Sequence, residues 1–328
     1  MVLGLGTSVN VGLFGKTPTQ PDFVRFNAGS PSARAWDEWT NSSLLELRRA
    51  GGQQWEVAFD ASPTFHFVGR PTGDNRQVLA GHIRPSHDES GRRYPLTVFC
   101  ELQLDRQARG VQVLPYALEP FLDSAASIAE TCATRTLDVA ILRAMEALVP
   151  ENPVESARRA MTDRLKVITM ETFWCSLFGT FDDPRKYLCI KNLFGVLAPM
   201  RGYDPQRLAM GLRFPGVPGT AGVSSSLTTA IWATLCRAVI GEESLAASWL
   251  FWNNSSKAQH PASYLFFRTP SASMFAAMLA PRMPVDGIWN LDSMGAERIN
   301  EARDSLGPAI TSVLETPRFA VLEFIQRI

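Results

Sequence analysis

From residue 9 to residue 15 the chain reads VNVGLFG, a short apolar run that ends at Lys16 and the turn TPTQP. So short a run bounded by turn residues predicts a buried strand. The next stretch, SPSARAWDEWTNSSLLELRRAGG, spaces Ala33, Trp36, Trp39, Leu44 and Leu47 on an approximate helical stripe, starting at Ser30-Pro31 and stopping at Gly51-Gly52. Three extended segments are expected after it, WEVAF, FHFVG and QVLAGHI, separated by Ser62-Pro63 and by PTGDN, and a fourth, YPLTVFCEL, ends at a charged turn. Helical patterns over about 115 to 130 and 134 to 149 then close at Pro150 and Pro153. Consecutive strands joined by turns cannot be parallel without crossovers. The expected fold is therefore α+β, a mainly antiparallel sheet flanked by helices.

In the second half, residues 154 to 180 look helical, and KYLCIKNLFGVLA (186 to 198) fits a helix or a strand. AMGLRF predicts a strand, SSLTTAIWATLCRAVIG a helix with a Ser/Thr start and a Gly stop, ASWLFWNN and SYLFFR two strands, and TPSASMFAAMLAP a short helix. Strand, helix, strand, strand repeats the opening order of the first half and suggests a diverged duplication. The division is placed near Pro150 to Glu155, giving an α+β domain over residues 1–150 and a second, α/β domain over 151–328.

Composition narrows the classes. A chain of 328 residues with 45% hydrophobic and 20% charged residues can bury a core without disulfide or metal staples. Lys plus Arg is 32 and Asp plus Glu is 32, so the basic excess that nucleic acid or an anionic membrane surface would attract is missing. Cys100, Cys132, Cys175, Cys189 and Cys236 are odd in number and never in C-x-x-C spacing, as in a reducing compartment. Lys or Arg is absent before Lys16, which argues against a secretory signal, and Val2 removes myristoylation. The long uncharged run between Arg213 and Arg237 is broken by Pro215, Gly216, Pro218 and Gly219, so a loop and a buried helix are expected instead of a membrane span. These features together point to a cytoplasmic protein.

Candidate chemistry is sparse. NVGLFGKT ends like a phosphate-binding loop, but Asn10 stands where the first glycine belongs, and Pro18 and Pro21 prevent the helix that must follow. A strand end with a tight glycine turn is the expectation there. His82, His87 and Asp88 in HIRPSHDESGRRYP carry metal-ligand side chains, and a metal-dependent hydrolase would pair them around a divalent ion. Pro85 keeps a regular helix from aligning the two histidines, and the competing reading is a polar loop in which Asp88 accepts turn amides. Neither a G-x-S-x-G elbow nor a G-x-G-x-x-G between strand and helix is present. Eight Trp, nineteen Phe and five Tyr are a large aromatic load. Trp36 and Trp39, three apart, share a helix face, where core packing is the default and a partner surface the alternative.

Two segments carry a resemblance. G-L-F-G-K-T-P-T-Q-P-D-F-V-R (Gly12 to Arg25), followed by W-D-E-W (Trp36 to Trp39), is similar to the opening of the TagF (ImpM) family associated with bacterial type VI secretion. P-S-H-D-E-S-G-R-R-Y-P-L (Pro85 to Leu96) resembles that family's Pro-Ser-x-Asp-x-x-Gly-Arg-x-x-Pro-Leu segment. The match covers residues 11 to about 100 and departs at Pro21, where the family usually has Gly. The resemblance implies a longin-like N-terminal domain, no enzyme activity and no cofactor. It also implies a cytoplasmic accessory protein that acts after translation by binding a forkhead-associated-domain scaffold protein. Some relatives are fused to a phosphatase domain, whose metal-carboxylate pattern is not found here.

The expected partner-binding surface joins the two matched loops: Lys16, Pro18, Asp22, Phe23 and Arg25 from the first, Ser86, Asp88 and Arg92 from the second. Asp22 or Asp88 pairing with Arg92 would fix the loops, leaving Lys16, Phe23 and Arg25 to face a partner. The competing expectation is that all eight only build two tight turns. Rival functions are the hydrolase at His82, His87 and Asp88, and a structural subunit of a larger assembly.

Overall fold

In the computed structural model the described residues are 9–328 apart from 73–75, 105–109, 149, 151–153, 219–221, 242–244, 246–247, 254–260, 280–286 and 294–296. The first half contains β1 (Asn10–Gly15), β2 (Val24–Phe26), α1 (Pro31–Gly51), α2 (Trp55–Asp60), β3 (Phe65–Gly69), β4 (Gln77–Arg84), β5 (Leu96–Gln103), α3 (Leu114–Ala117), α4 (Glu119–Thr134) and α5 (Val139–Glu146). Ser30 caps α1 by accepting the Ala33 amide, and Gly52, at φ 50°, ends it, as the Ser-Pro and Gly-Gly signals predict. WEVAF is helix α2, a departure from the strand expected there. Its Trp55 and Phe59 are four apart and share one helical face, their rings tilted with centroids 6.3 Å apart, whereas Val57, which a strand would have placed with them, is 71% exposed.

The second half contributes α6 (Val154–Val167), α7 (Met170–Phe178), α8 (Arg185–Leu197), β6 (Gly211–Pro215), α9 (Ser225–Ile240), β7 (Trp249–Trp252), β8 (Ala262–Phe266), α10 (Ala272–Leu279), β9 (Ile288–Asn290), α11 (Glu297–Ser305), α12 (Gly307–Leu314) and α13 (Val321–Arg327). The helical stretch expected over 154 to 180 is broken after Val167, because Thr169 caps α7 and bridges to Ala320. The ambiguous 186 to 198 segment is helical, and buried α9 follows a proline-glycine loop as expected. Among the described residues no helix is long and apolar enough to cross a membrane. The five cysteines are free thiols, with only Cys175 partly accessible.

The nine strands of the described residues join one sheet in the order β2-β1-β5-β4-β3-β7-β8-β6-β9. Every ladder is antiparallel except β6 with β9. The α+β, mainly antiparallel architecture is thus the one the strand pattern predicts. Antiparallel pairing of β3 with β7, with His66 opposite Trp252 and Val68 opposite Leu250, makes the sheet continuous across residue 150.

Alternation along the strands feeds two cores. Val68, Ala80, Val98 and Leu250 face the layer that includes α4 and α9. Phe67, Leu79, Phe99 and Phe251 face α1 and α10. Trp36 lies flat on Phe67 (4.1 Å between ring centroids), and Trp39 sits 4.3 Å from Phe275 and donates to the Pro270 carbonyl. The Trp pair is therefore core, joining α1 to α10. On the other face, Glu119 at the start of α4 accepts hydrogen bonds from Ser224 and Ser226 at the start of α9, a carboxylate at a helix N-terminus where the dipole favours it.

Candidate functional site

The two matched loops leave neighbouring strands. β1 ends at Gly15, whose φ of 140° and contact with Pro95 suit only glycine: a Cβ there would collide with the Pro95 carbonyl oxygen. The chain then turns Lys16 inward. Its ammonium lies 2.8 Å from Asp88 Oδ2, with side-chain exposures of 7% for Lys16 and 0% for Asp88. Arg92 Nε donates to the same oxygen at 2.7 Å. Asp88 Oδ1 accepts from Ser90 Oγ (2.7 Å), Ser90 N (3.1 Å) and Arg92 N (2.9 Å). Burial alone would raise the carboxyl's pKa, but the hydrogen bonds from Lys16, Ser90 and Arg92 outweigh it and hold the group well below the usual carboxylate range. The loops are also joined directly, by Glu89 N to Gln20 O at 2.9 Å and Arg92 Nη2 to Pro21 O at 2.7 Å.

The rest of the second loop is tied to the helices. Tyr94 N donates to Ser86 O at 3.0 Å, and its hydroxyl donates to Asp37 Oδ1 of α1 at 2.6 Å. Burial, then Asp37, pushes that phenol up, so it stays protonated. Arg93 grips Asp60 of α2 with Nε and Nη2 at 3.0 and 2.9 Å, and reaches Glu56 at 2.9 Å.

On this base stands an aromatic and cationic surface. Phe23, 36% exposed, stacks on Phe14 at 5.5 Å and 6° and meets the edge of Tyr94 at 4.9 Å. Arg25, exposed on edge strand β2, lies 4.8 Å over the Phe14 ring and 5.9 Å from that of Phe23. Three cations of the two loops are matched internally, Lys16 and Arg92 by Asp88, Arg93 by Asp60 and Glu56. Among the described residues Arg25 meets rings instead of a carboxylate.

The expected site residues therefore divide. Phe23, Arg25 and Asp22 are exposed, and Pro18 is partly so. Lys16, expected to face a partner, is buried instead, because Asp88 draws its ammonium inward. Asp88, not Asp22, fixes Arg92; Asp22 accepts the Phe23 amide at 2.8 Å. Ser86 is buried and serves through its carbonyl. Tyr94, Asp37 and Asp60 were not among the expected residues. Tyr94 lies inside the matched segment, and Asp60 directly follows WEVAF, the segment expected to be a strand.

The structure does not gather His82, His87 and Asp88. His82 Nδ1 lies 3.3 Å from His66 Nδ1, His87 Nδ1 contacts its neighbour's carbonyl oxygen at 2.9 Å, and both Asp88 oxygens are taken. Among the described residues no group of three His, Cys, Asp or Glu side chains is placed to hold a metal. Gly15-Lys16-Thr17 is a strand end followed by turns, and the next helix begins only at Pro31.

Residues 12–148, which contain both loops, match the family model described as the TagF N-terminal domain, type VI secretion system-associated. The crystal structure of PA0076 from Pseudomonas aeruginosa PAO1, at 2.05 Å resolution, is similar with a TM-score of 0.50 and 18% sequence identity, covering 85% of this chain and 98% of that one. At that identity the likeness is one of fold. Curated protein sequences give no significant match. Residues 12–148 thus form a TagF N-terminal domain, of the kind associated with type VI secretion.

Proposed function

We propose that this type VI secretion-associated protein is a non-enzymatic cytoplasmic regulator that acts after translation by binding a forkhead-associated-domain scaffold protein of the secretion system. The observation that supports this reading most is the division of the two family loops into a buried ionic base and an exposed Phe23 and Arg25 pair. Aromatic and Arg side chains dominate the energetics of protein interfaces, and a ring held on a rigid base loses little entropy on binding. Lys16, Asp88 and Arg92 then act as the support, with Pro18 and Asp22 shaping the rim.

The test is capture of the purified scaffold protein by wild type and by Phe23→Ala/Arg25→Ala, each also followed by thermal melting. Binding weakened at least tenfold with an unchanged melting curve is expected. Unchanged capture by a folded double variant would remove these residues from the interface. Asp88→Ala serves as the comparison: it should lower the melting temperature first, with binding lost only as folding is lost.

A further inference from the structure

One buried arrangement lies outside the loop surface. His66 on β3 and His82 on β4 are register partners, their Nδ1 atoms 3.3 Å apart and their rings edge to face with centroids 4.9 Å apart. Both are buried, at 0% and 5% exposure. A contact of this kind needs one Nδ1 to carry hydrogen and the other to accept it, which two neutral imidazoles in complementary tautomers supply. Two imidazolium rings would set N–H against N–H.

His66 Nε2 is buried without a hydrogen-bond partner and lies 3.9 Å from Asp123 Oδ1 on α4, whose side chain is 56% exposed. That gap exceeds a hydrogen bond, yet a change of the Asp123 rotamer can close it. On its other side His66 is in register with Trp252 of β7, ring centroids 5.6 Å apart. The pair thus sits under α4 and on the β3–β7 seam that joins residues 12–148 to the rest of the sheet.

The titratable groups on the surrounding elements are Arg84 on β4, Cys100 and Glu101 on β5, Tyr116 on α3, and Glu119, Asp123, Glu130 and Cys132 on α4, with the Glu101 carboxylate engaged by Asn10 and Ser30. Arg84 already engages Glu130 at 2.7 Å, and burial holds both thiols protonated. Asp123 is the carboxylate facing His66.

We propose that His66 and His82 form an acid-sensitive latch, closed while both rings are neutral, and that protonation loosens α4, with its Glu119 contact to α9, from the seam, Asp123 offsetting part of that loss by pairing with the His66 imidazolium. Burial lowers the pKa of His66 to about 3, and burial with the charges of His66 and Arg84 holds His82 well below its ordinary value. With both folded pKa values depressed, the latch is fully stable above the unfolded histidine pKa of about 6.5 and weakens as pH falls from there towards the folded values. Each ring lowers the folded-to-unfolded ratio by up to about tenfold per pH unit in that window, so the pair acts with up to about hundredfold.

The full-length protein tests this by urea unfolding at pH 7.5, 6.5 and 5.5, by histidine NMR titration, and by hydrogen exchange corrected for intrinsic rates. The expected results are histidine signals that stay neutral to below pH 5, and at least tenfold loss of α4 protection between pH 7.5 and 5.5 with α10 unaffected. Asp123→Asn should match wild type at pH 7.5 and unfold at a higher pH on acidification, because the compensating carboxylate is gone. The double variant His66→Leu/His82→Leu should flatten the pH dependence. Any of three results would overturn the latch: either ring titrating at pH 6 to 7 in the folded protein, an acid profile of Asp123→Asn identical to wild type, or stoichiometric zinc in the purified protein, since nitrogens 3.3 Å apart also suit a shared metal ion. Should the double variant fail to fold, the wild-type titration and Asp123→Asn still decide.

Discussion

Asp88 and the His66–His82 pair are both buried beside the same sheet, and they solve the problem of a buried titratable group in opposite ways. Asp88 keeps its charge, because five hydrogen bonds from Lys16, Ser90 and Arg92 reach its two oxygens. The histidines give up theirs, because one nitrogen contact and a carboxylate at 3.9 Å are too little to offset the burial of a cation. A complete partner set makes a loop rigid at the family's matched segment, whereas an incomplete one leaves a weak point beneath α4. Loop anchoring and acid sensitivity are therefore located in different parts of one sheet.

Removing Asp88 should break this comparison most severely. Asp88→Ala leaves the buried Lys16 ammonium without its counter-charge and both loops without their acceptor, and breaking a buried pair from one side typically costs about 3–5 kcal/mol. Urea unfolding at pH 7 would measure it. Lys16→Met is expected to cost less, because Arg92 and Ser90 still hold the carboxylate. The pH sign is that of a depressed acid: the contribution of Asp88 is complete above about pH 4 and is lost only as pH falls below that, towards its folded pKa. The histidine contribution begins to fall at about pH 6.5. Acid unfolding should thus lose the two contributions in sequence, histidines first. A profile in which Asp88→Asn changes the pH 6 region would contradict the assignment.

His82→Leu should have an intermediate effect. It deprives His66 Nδ1 of its partner while Nε2 already lacks one, and a newly unsatisfied buried polar atom costs about 1–3 kcal/mol. Replacing both rings by leucine removes the polar groups together and should cost less than the single change at pH 7.5. Single variants at pH 7.5 that are neutral would mean that the nitrogen contact contributes nothing.

Much of the architecture was legible because strong local signals agreed with it. Ser30-Pro31 and Gly51-Gly52 bracket α1, Ser224 and Gly241 bracket α9, and the runs FHFVG and WLFW are strands buried on both faces. β2 and β9, three residues each, are too short to show periodicity and exist only through pairing. Of the site, the two loops were legible as segments, but their inside and outside were not. Lys16 is the sharpest case: a lysine in a polar turn ordinarily faces water, and its burial follows from a carboxylate 72 positions later in the chain. His66 had no local signal at all, since FHFVG reads simply as a strand and its partner comes from the next one.

Arg93 tests where the comparison ends, with the smallest expected effect. It has a two-pronged grip on Asp60 plus a contact to Glu56, of which Glu56 lay inside the segment expected to be a strand and Asp60 directly after it. Geometry does not make it another Asp88, however, because Asp60 and Glu56 are about half exposed, at 48% and 49%. Water screens the attraction and takes over the hydrogen bonds when the partner is removed, so Arg93→Ala should cost about 0.5–1 kcal/mol. The loss should shrink in 1 M salt, where exposed charges are screened within about 3 Å, while the cost of Asp88→Ala should change little. Melting both variants at low and high salt measures the two sensitivities directly. If Arg93→Ala proved as costly and as salt-independent as Asp88→Ala, burial would not be what separates a rigid ionic base from an ordinary surface pair in this domain, and α2 would rank with Lys16 as part of the loop support.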